Sequence, residues 1–269
     1  MRLSTSQLRR ELGARNLVFA EGLPHESTTG TVPSVLYQDV GGAHGNFISA
    51  SYRRICASPE WARRLNKCYS ASRRLARSGD RVRRELDCAT SSDALLMNVF
   101  CYPGVTTRKP VCAVLGIRHG LRPQFGVKPG IPLIDGRADR TEIDMALGDL
   151  LVEAKLTESG FQTARAELVT RYKDVDGVFD IAQLPRCSEG FRCYQLIRGV
   201  MAARHCGTSF LVIYDGGRLD LAEHCYLAAR AVRMCELRSR FAILTWQELS
   251  SALPRRLQDF LEQKYGIQR

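Results

Sequence analysis

Apolar and polar residues alternate most cleanly between residues 141 and 158, in two short runs joined at Gly148-Asp149. Gly-Asp between alternating runs is a two-residue hairpin signal, and such a loop pairs Leu147 with Leu150. Counting outward from that pair sets Asp144 opposite Glu153 and Glu142 opposite Lys155. Period-two alternation then puts all four side chains on one side of the sheet. The other side carries Ile143, Met145, Leu147, Leu150, Val152, Ala154 and Leu156. That wholly apolar set is what a hairpin with one face packed on a core requires.

The rest of the pattern supplies a frame. Residues 1 to 58 lack clear periodicity and read as irregular. Pro59 opens a helix with a basic face that runs to about Ala76, and Ser91 or Ser92 caps a second helix reaching Cys101. Val111 to Ile117 reads as a strand, followed by a Gly/Pro-rich stretch from Leu121 to Pro132. Beyond the hairpin the pattern predicts helix over Gly160 to Tyr172, loop over Lys173 to Pro185 and helix over Glu189 to His205. Strand over Thr208 to Tyr214, helix over Leu219 to Glu236 and strand over Phe241 to Thr245 follow, then helix over Gln247 to Tyr265 interrupted at Pro254. This order predicts an α/β fold, a mixed central β-sheet flanked by helices on both faces. Two regions are expected: a basic, partly helical N-terminal extension over 1–85 and a core over 86–269.

Charge adds a partner to that picture. The chain has 39 Lys and Arg against 28 Asp and Glu, a formal balance of +11. Residues 1 to 85 hold 15 basic and 7 acidic residues, so +8 of the excess lies there. Arginine pairs recur in it at Arg53-Arg54, Arg63-Arg64, Arg73-Arg74 and Arg83-Arg84. A phosphate backbone is the natural partner of such a surface, with Arg63, Arg64, Arg73 and Arg74 on the predicted helix as its contacts. The alternative is a merely solvated helix in an arginine-rich chain. The first twenty residues hold no apolar run long enough for a signal peptide or membrane span, so a cytoplasmic location is expected. Ten cysteines are scattered without Cys-x2-Cys units, which speaks against zinc and for reduced thiols. No Gly-x-Ser-x-Gly elbow and no P-loop is present.

Two carboxylates facing each other in a sheet repel, so something should compensate. A hard divalent cation does so, since Mg2+ takes oxygen ligands and is commonly held by one or two carboxylates with waters and phosphate oxygens; Mn2+ suits the same donors. Lys155 beside the ion can orient or help deprotonate a water, or balance charge on a phosphate. The competing reading is a solvated charged face. Glu-x-Lys alone says little, because Glu262-Gln263-Lys264 repeats it in a polar helix without an acid-bearing strand before it.

An Asp on one strand and Glu153-Ala154-Lys155 on the next resembles the PD-(D/E)xK nuclease superfamily. The proline of that name is missing, and Glu142-Ile143-Asp144 is similar to the variant of resolvase-like members. Phe191-Arg-Cys-Tyr-Gln-Leu-Ile-Arg198 resembles the Gln-bearing helix that follows the catalytic strands, and Ser91-Ser-Asp-Ala-Leu-Leu-Met-Asn-Val-Phe100 resembles a helix of a restriction-endonuclease-like family. The resemblance implies a restriction-endonuclease-like core of at least four strands, with the Ser92 and Gln195 helices flanking the acidic edge. It implies Asp144 and Glu153 as metal ligands, joined by the Ala154 carbonyl, and Lys155 as the catalytic cation. Glu142 is either a second ligand or the salt-bridge partner of Lys155. Gln195 is expected to bond a metal water or a nucleotide, and Arg198, one turn on, to contact phosphate. Glu158 and Gln162 reach substrate or cap the next helix, while Asp93 or Glu85 supplies a first-helix acid. The expected activity is Mg2+-dependent hydrolysis of DNA, with a homodimer compatible and membrane excluded. A catalytically silent nucleic-acid-binding module that keeps the fold is the alternative.

Overall fold

A computed structural model describes residues 4–28, 34–68 and 84–268. These form two compact units, one spanning Arg122–Trp246 and the other Ser4–Leu121 together with the chain from Gln247 onward. Residues 86 to 121 thus belong with the N-terminal segment.

The first unit is built on a five-stranded mixed sheet. In spatial order its strands are Phe241–Thr245, Ser209–Tyr214, Leu150–Ala154, Ile143–Ala146 and Gln124–Val127. The first three are mutually parallel, and the last two run antiparallel to their neighbours. Met145 pairs with Val152 and Ala146 with Leu151, while Leu147 and Leu150 exchange backbone hydrogen bonds at 2.8 and 3.3 Å. This is the register counted from the Gly148-Asp149 loop. Gly148 supplies the positive φ, 60°, that the tight loop needs.

The α/β architecture with helices against a mixed sheet is as the pattern predicts, but the hairpin is not half-solvated. All five residues of Leu150–Ala154 are buried, because the parallel strand Ser209–Tyr214 makes it a central strand. Phe210 and Val212, in register with Leu151 and Glu153, and Tyr214 beyond them join a core with Leu196, Ile197 and Val200 of the Tyr194–Cys206 helix and with Leu221 and Cys225 of the Leu219–Ala231 helix. The helix closes tightly on the sheet at Gly199, where a Cβ would overlap the Phe210 ring.

Other expectations are corrected. Val111 to Ile117 is not a strand: Lys109–Leu115 is a helix, started by Pro110 in its first turn and closed by Gly116 in the left-handed region. An apolar run this short fits either element, and the two punctuating residues decide. Residues 1 to 58 are not irregular, for Thr5–Phe19 and Ser49–Ala57 are helices. Ser4 and Gln7 form a reciprocal capping box at the first, a signal present in the sequence. The helix from Pro59 ends at Ala62, continues as a 3-10 turn over Arg63–Asn66 and stops; residues 69–83, with Arg73 and Arg74, lie outside the described residues. Gly160 to Tyr172 yields only the helix Ala166–Thr170, and the Glu189 helix starts at Tyr194 after a small hairpin of Arg186–Cys187 with Gly190–Phe191. Among the described residues no helix is long and apolar enough to cross a membrane.

Candidate functional site

Asp144, Glu153, Lys155 and Gln195 come together in the first unit. Asp144 sits half-buried on Ile143–Ala146, and its Oδ2 accepts the Ala154 N–H at 2.8 Å, tying the acid across the hairpin. Glu153 is 1% exposed. Its Oε1 accepts from Lys155 Nζ at 2.6 Å and from Gln195 Nε2 at 2.8 Å, whereas the buried Oε2 has no hydrogen-bond partner. An ionised carboxylate this deep costs several kcal/mol in desolvation, about that much even after relaxation, unless it is paired. The lone Oε2 is therefore the least satisfied point of the cluster.

Lys155 follows the strand directly. Its N–H donates to the Ile213 carbonyl at 2.8 Å and its carbonyl accepts from Trp246 Nε1 at 2.9 Å, which pins the backbone on both sides. The ammonium lies 5.8 Å from the Phe161 ring centre. Burial by itself lowers the Lys155 pKa, but the carboxylates of Glu153, Glu158 and Asp144 outweigh it and hold the group above its ordinary value. Glu158 in turn accepts the Leu156 N–H at 2.7 Å, and its carbonyl receives Arg218, a wholly buried arginine paired with Asp220.

The remaining predicted residues divide. Glu142 precedes the strand, and its carbonyl accepts from Arg198 at 3.1 Å. Arg198 is 4% exposed, 5.9 Å from the Tyr194 ring, with Nε buried and unpartnered, so it supports the strand entry from inside. Arg63 and Arg64 belong to the other unit. Arg63 is exposed, while Arg64 pairs with buried Asp93 at 2.9 Å, and Lys67 bridges Asp93 and Glu85 at 2.7 and 3.0 Å. Asp93 is thus engaged by two cations at the start of its helix.

Sequence reasoning missed one neighbouring network. Buried Asp139 accepts from Thr141 and Tyr172, and the Tyr172 hydroxyl lies 2.8 Å from that of Tyr194, next to Gln195. Burial raises the Asp139 carboxyl, but those hydrogen bonds and the Arg171 charge bring it below its ordinary value. Only the Tyr194-Gln195 adjacency was visible beforehand. The Asp139–Thr141 bond is local, but the links of Tyr172 to Asp139 and to Tyr194 join residues more than twenty positions apart.

Among the described residues no three or more His, Cys, Asp or Glu side chains form a metal cage. Two carboxylates, one with an unpartnered buried oxygen, suit instead a hard cation that keeps water and phosphate ligands.

A family model described as Restriction Endonuclease associating with ARP matches residues 24–266. Comparison with curated proteins and with solved structures gives no match.

Proposed function

The chain belongs to the family of restriction endonucleases associating with ARP, and we propose that it is an Mg2+-dependent nuclease that hydrolyses DNA phosphodiester bonds. The observation that carries this reading is Glu153: one buried oxygen is held by Lys155 and Gln195, the other has no partner, and Asp144 is tied across the same hairpin.

Asp144 and Glu153 would hold the cation, with the Ala154 carbonyl as a further oxygen donor. Bound there, Mg2+ or Mn2+ would acidify a water and neutralise charge on the scissile phosphate. Lys155, kept protonated by three carboxylates, is suited to stabilise negative charge on the phosphate and poorly suited to act as the base. Gln195 fixes the rotamer of Glu153 through Oε1 and leaves Oε2 for the ion. Glu142 and Arg198 act by holding the entry to the Asp144 strand.

One observation favours a second reading. The Lys155–Glu153 pair at 2.6 Å already neutralises both buried charges, as a silent nucleic-acid-binding module would need. Incubating the chain with plasmid, linear and single-stranded DNA, with Mg2+, Mn2+ or chelator, separates the two. Cleavage that needs metal and is lost in Asp144→Asn and Lys155→Met, with folding intact, supports the nuclease. Binding without cleavage supports the module.

A further inference from the structure

We propose that Arg165, Arg186 and Arg192 form a clip that grips the phosphodiester backbone of the nucleic acid beside the Asp144–Glu153 site; this rests on the nuclease reading. The small hairpin pairs Arg186 with Phe191 and Cys187 with Gly190. It is locked to the segment after Lys155, since Ala164 and Phe191 exchange N–H···O bonds at 2.9 and 2.8 Å. Gly190, at φ 141°, permits this approach, because any Cβ there would overlap the Ala164 carbonyl.

The same junction is joined to the residues of the site. Tyr194 N–H donates to the Gln162 carbonyl at 3.1 Å and Gln195 N–H to the Phe161 carbonyl at 2.9 Å. Gln195 is the residue on Glu153, and Phe161 is the ring beside Lys155. Gln162 and Cys193 adopt φ of 60° and 62°, two of the three left-handed non-glycine residues among the described ones. Such conformations are unfavourable for residues with a Cβ and persist where surrounding contacts over-determine them. The backbone is strained to hold one geometry between the hairpin and the site.

That rigid junction displays cations. Arg165 follows bridged Ala164, Arg192 follows bridged Phe191, and Arg186 lies 4.4 Å over the Phe191 ring; all three are exposed. Glu189 at the hairpin turn and Glu167 beyond Arg165 are the acids nearest in sequence, and the three arginines outnumber them; His224, which feels the Arg192 charge, also feels Asp220 and Glu223. A guanidinium pre-oriented by an aromatic ring loses less freedom on meeting a phosphate than a loose one does.

The test compares two triple variants in chelator, so that binding is read without cleavage. One is Arg165→Gln, Arg186→Gln, Arg192→Gln; the matched control is Arg204→Gln, Arg230→Gln, Arg233→Gln. Binding of labelled duplex and single-stranded DNA is titrated against salt. The clip variant is expected to lose about tenfold or more in affinity and about two to three units of salt slope, while the control keeps most of both. Equal loss in the two triples, or none in the clip triple, overturns the proposal while leaving the nuclease reading intact. A parent chain that binds no DNA in chelator also overturns the clip, whereas the nuclease reading falls only if cleavage with Mg2+ or Mn2+ is absent.

Discussion

Glu-x-Lys occurs twice in this chain, and the two copies have opposite fates. In a strand, residues two apart point the same way, so Glu153 and Lys155 meet at 2.6 Å. In the helix Arg255–Tyr265, residues two apart are turned by about 200° around the axis, so Glu262 is exposed and Lys264 is wholly buried. Lys264 Nζ donates to Asn16 Oδ1 at 2.7 Å and lies 4.0, 5.0 and 5.3 Å from the ring centres of Tyr37, Phe19 and Tyr265. Burial dominates there and holds its pKa well below the ordinary value. At Lys155 the same burial is outweighed by three carboxylates. A three-residue pattern carries chemistry only in the backbone geometry that makes its ends neighbours.

The largest effect expected from breaking the comparison is on cleavage. Lys155→Met and Asp144→Asn should each lower metal-dependent DNA hydrolysis by about 10³-fold or more, a loss of the size seen when a preorganised charge is removed from a reacting centre. Lys264→Met should leave the rate within about twofold. Rates of plasmid cleavage at saturating Mg2+, with folding checked by circular dichroism, decide this. Equal losses at the two lysines would dissolve the distinction. Stability should separate the two acids next. Glu153→Ala strands the buried Lys155 ammonium and should cost about 3 to 5 kcal/mol in denaturant unfolding, whereas Glu262→Ala at an exposed position should cost no more than about 0.5 kcal/mol.

The strand copy was legible because everything needed to place it is local. A two-residue loop and period-two alternation fix the register of Asp144 against Glu153 without knowledge of any other element. The strands Ser209–Tyr214 and Phe241–Thr245 and the break at Pro254 were legible for the same kind of reason, short apolar runs and a helix-breaking residue. What the sequence hid depends on distant partners. Burial of the acidic face comes from a parallel strand about sixty residues later and from the helix carrying Gln195. Nothing local to Lys264 tells of Asn16 or Tyr37, so its helix reads as merely polar. The missed helix at Thr5 differs, since the Ser4 and Gln7 cap was visible and only its weak apolar stripe, Leu8 and Leu12, concealed it.

Each lysine has an amide beside it, which gives a finer test. Gln195 donates to the acid that pairs with Lys155, and Asn16 accepts directly from Lys264. Gln195→Ala should reduce Mn2+ affinity or cleavage by about 10- to 100-fold, as removal of a residue that orients a ligand does. Asn16→Ala should leave activity alone and lower the unfolding midpoint, because Lys264 Nζ and the Tyr37 hydroxyl, 3.0 Å from the same oxygen, both lose their acceptor. Metal titration and thermal melts on both variants read the two effects separately.

The smallest effect is on the pH dependence of stability, and here the two lysines differ in sign. The ordinary lysine value is 10.5, and Lys264 lies well below it when folded. Between its folded value and 10.5 the unfolded chain binds a proton that the folded chain does not, so stability rises with pH by up to about 1.4 kcal/mol per unit. Lys155 is raised when folded, so its contribution is fully present below 10.5, gives no slope there, and falls only above it. Around Lys264 stand Cys88, whose charge raises it, and the hydroxyls of Tyr37 and Tyr265, which burial shifts upward and which therefore stay protonated over neutral and mildly alkaline pH. Lys264→Met should then be more stable than the parent near neutrality, with an advantage that shrinks steadily as pH climbs towards 10. Lys155→Met should run parallel to the parent over the same range. Urea unfolding across that interval measures both. Parallel curves for Lys264→Met and the parent would mean that Lys264 is charged in the fold, and that the two lysines differ less than their surroundings indicate.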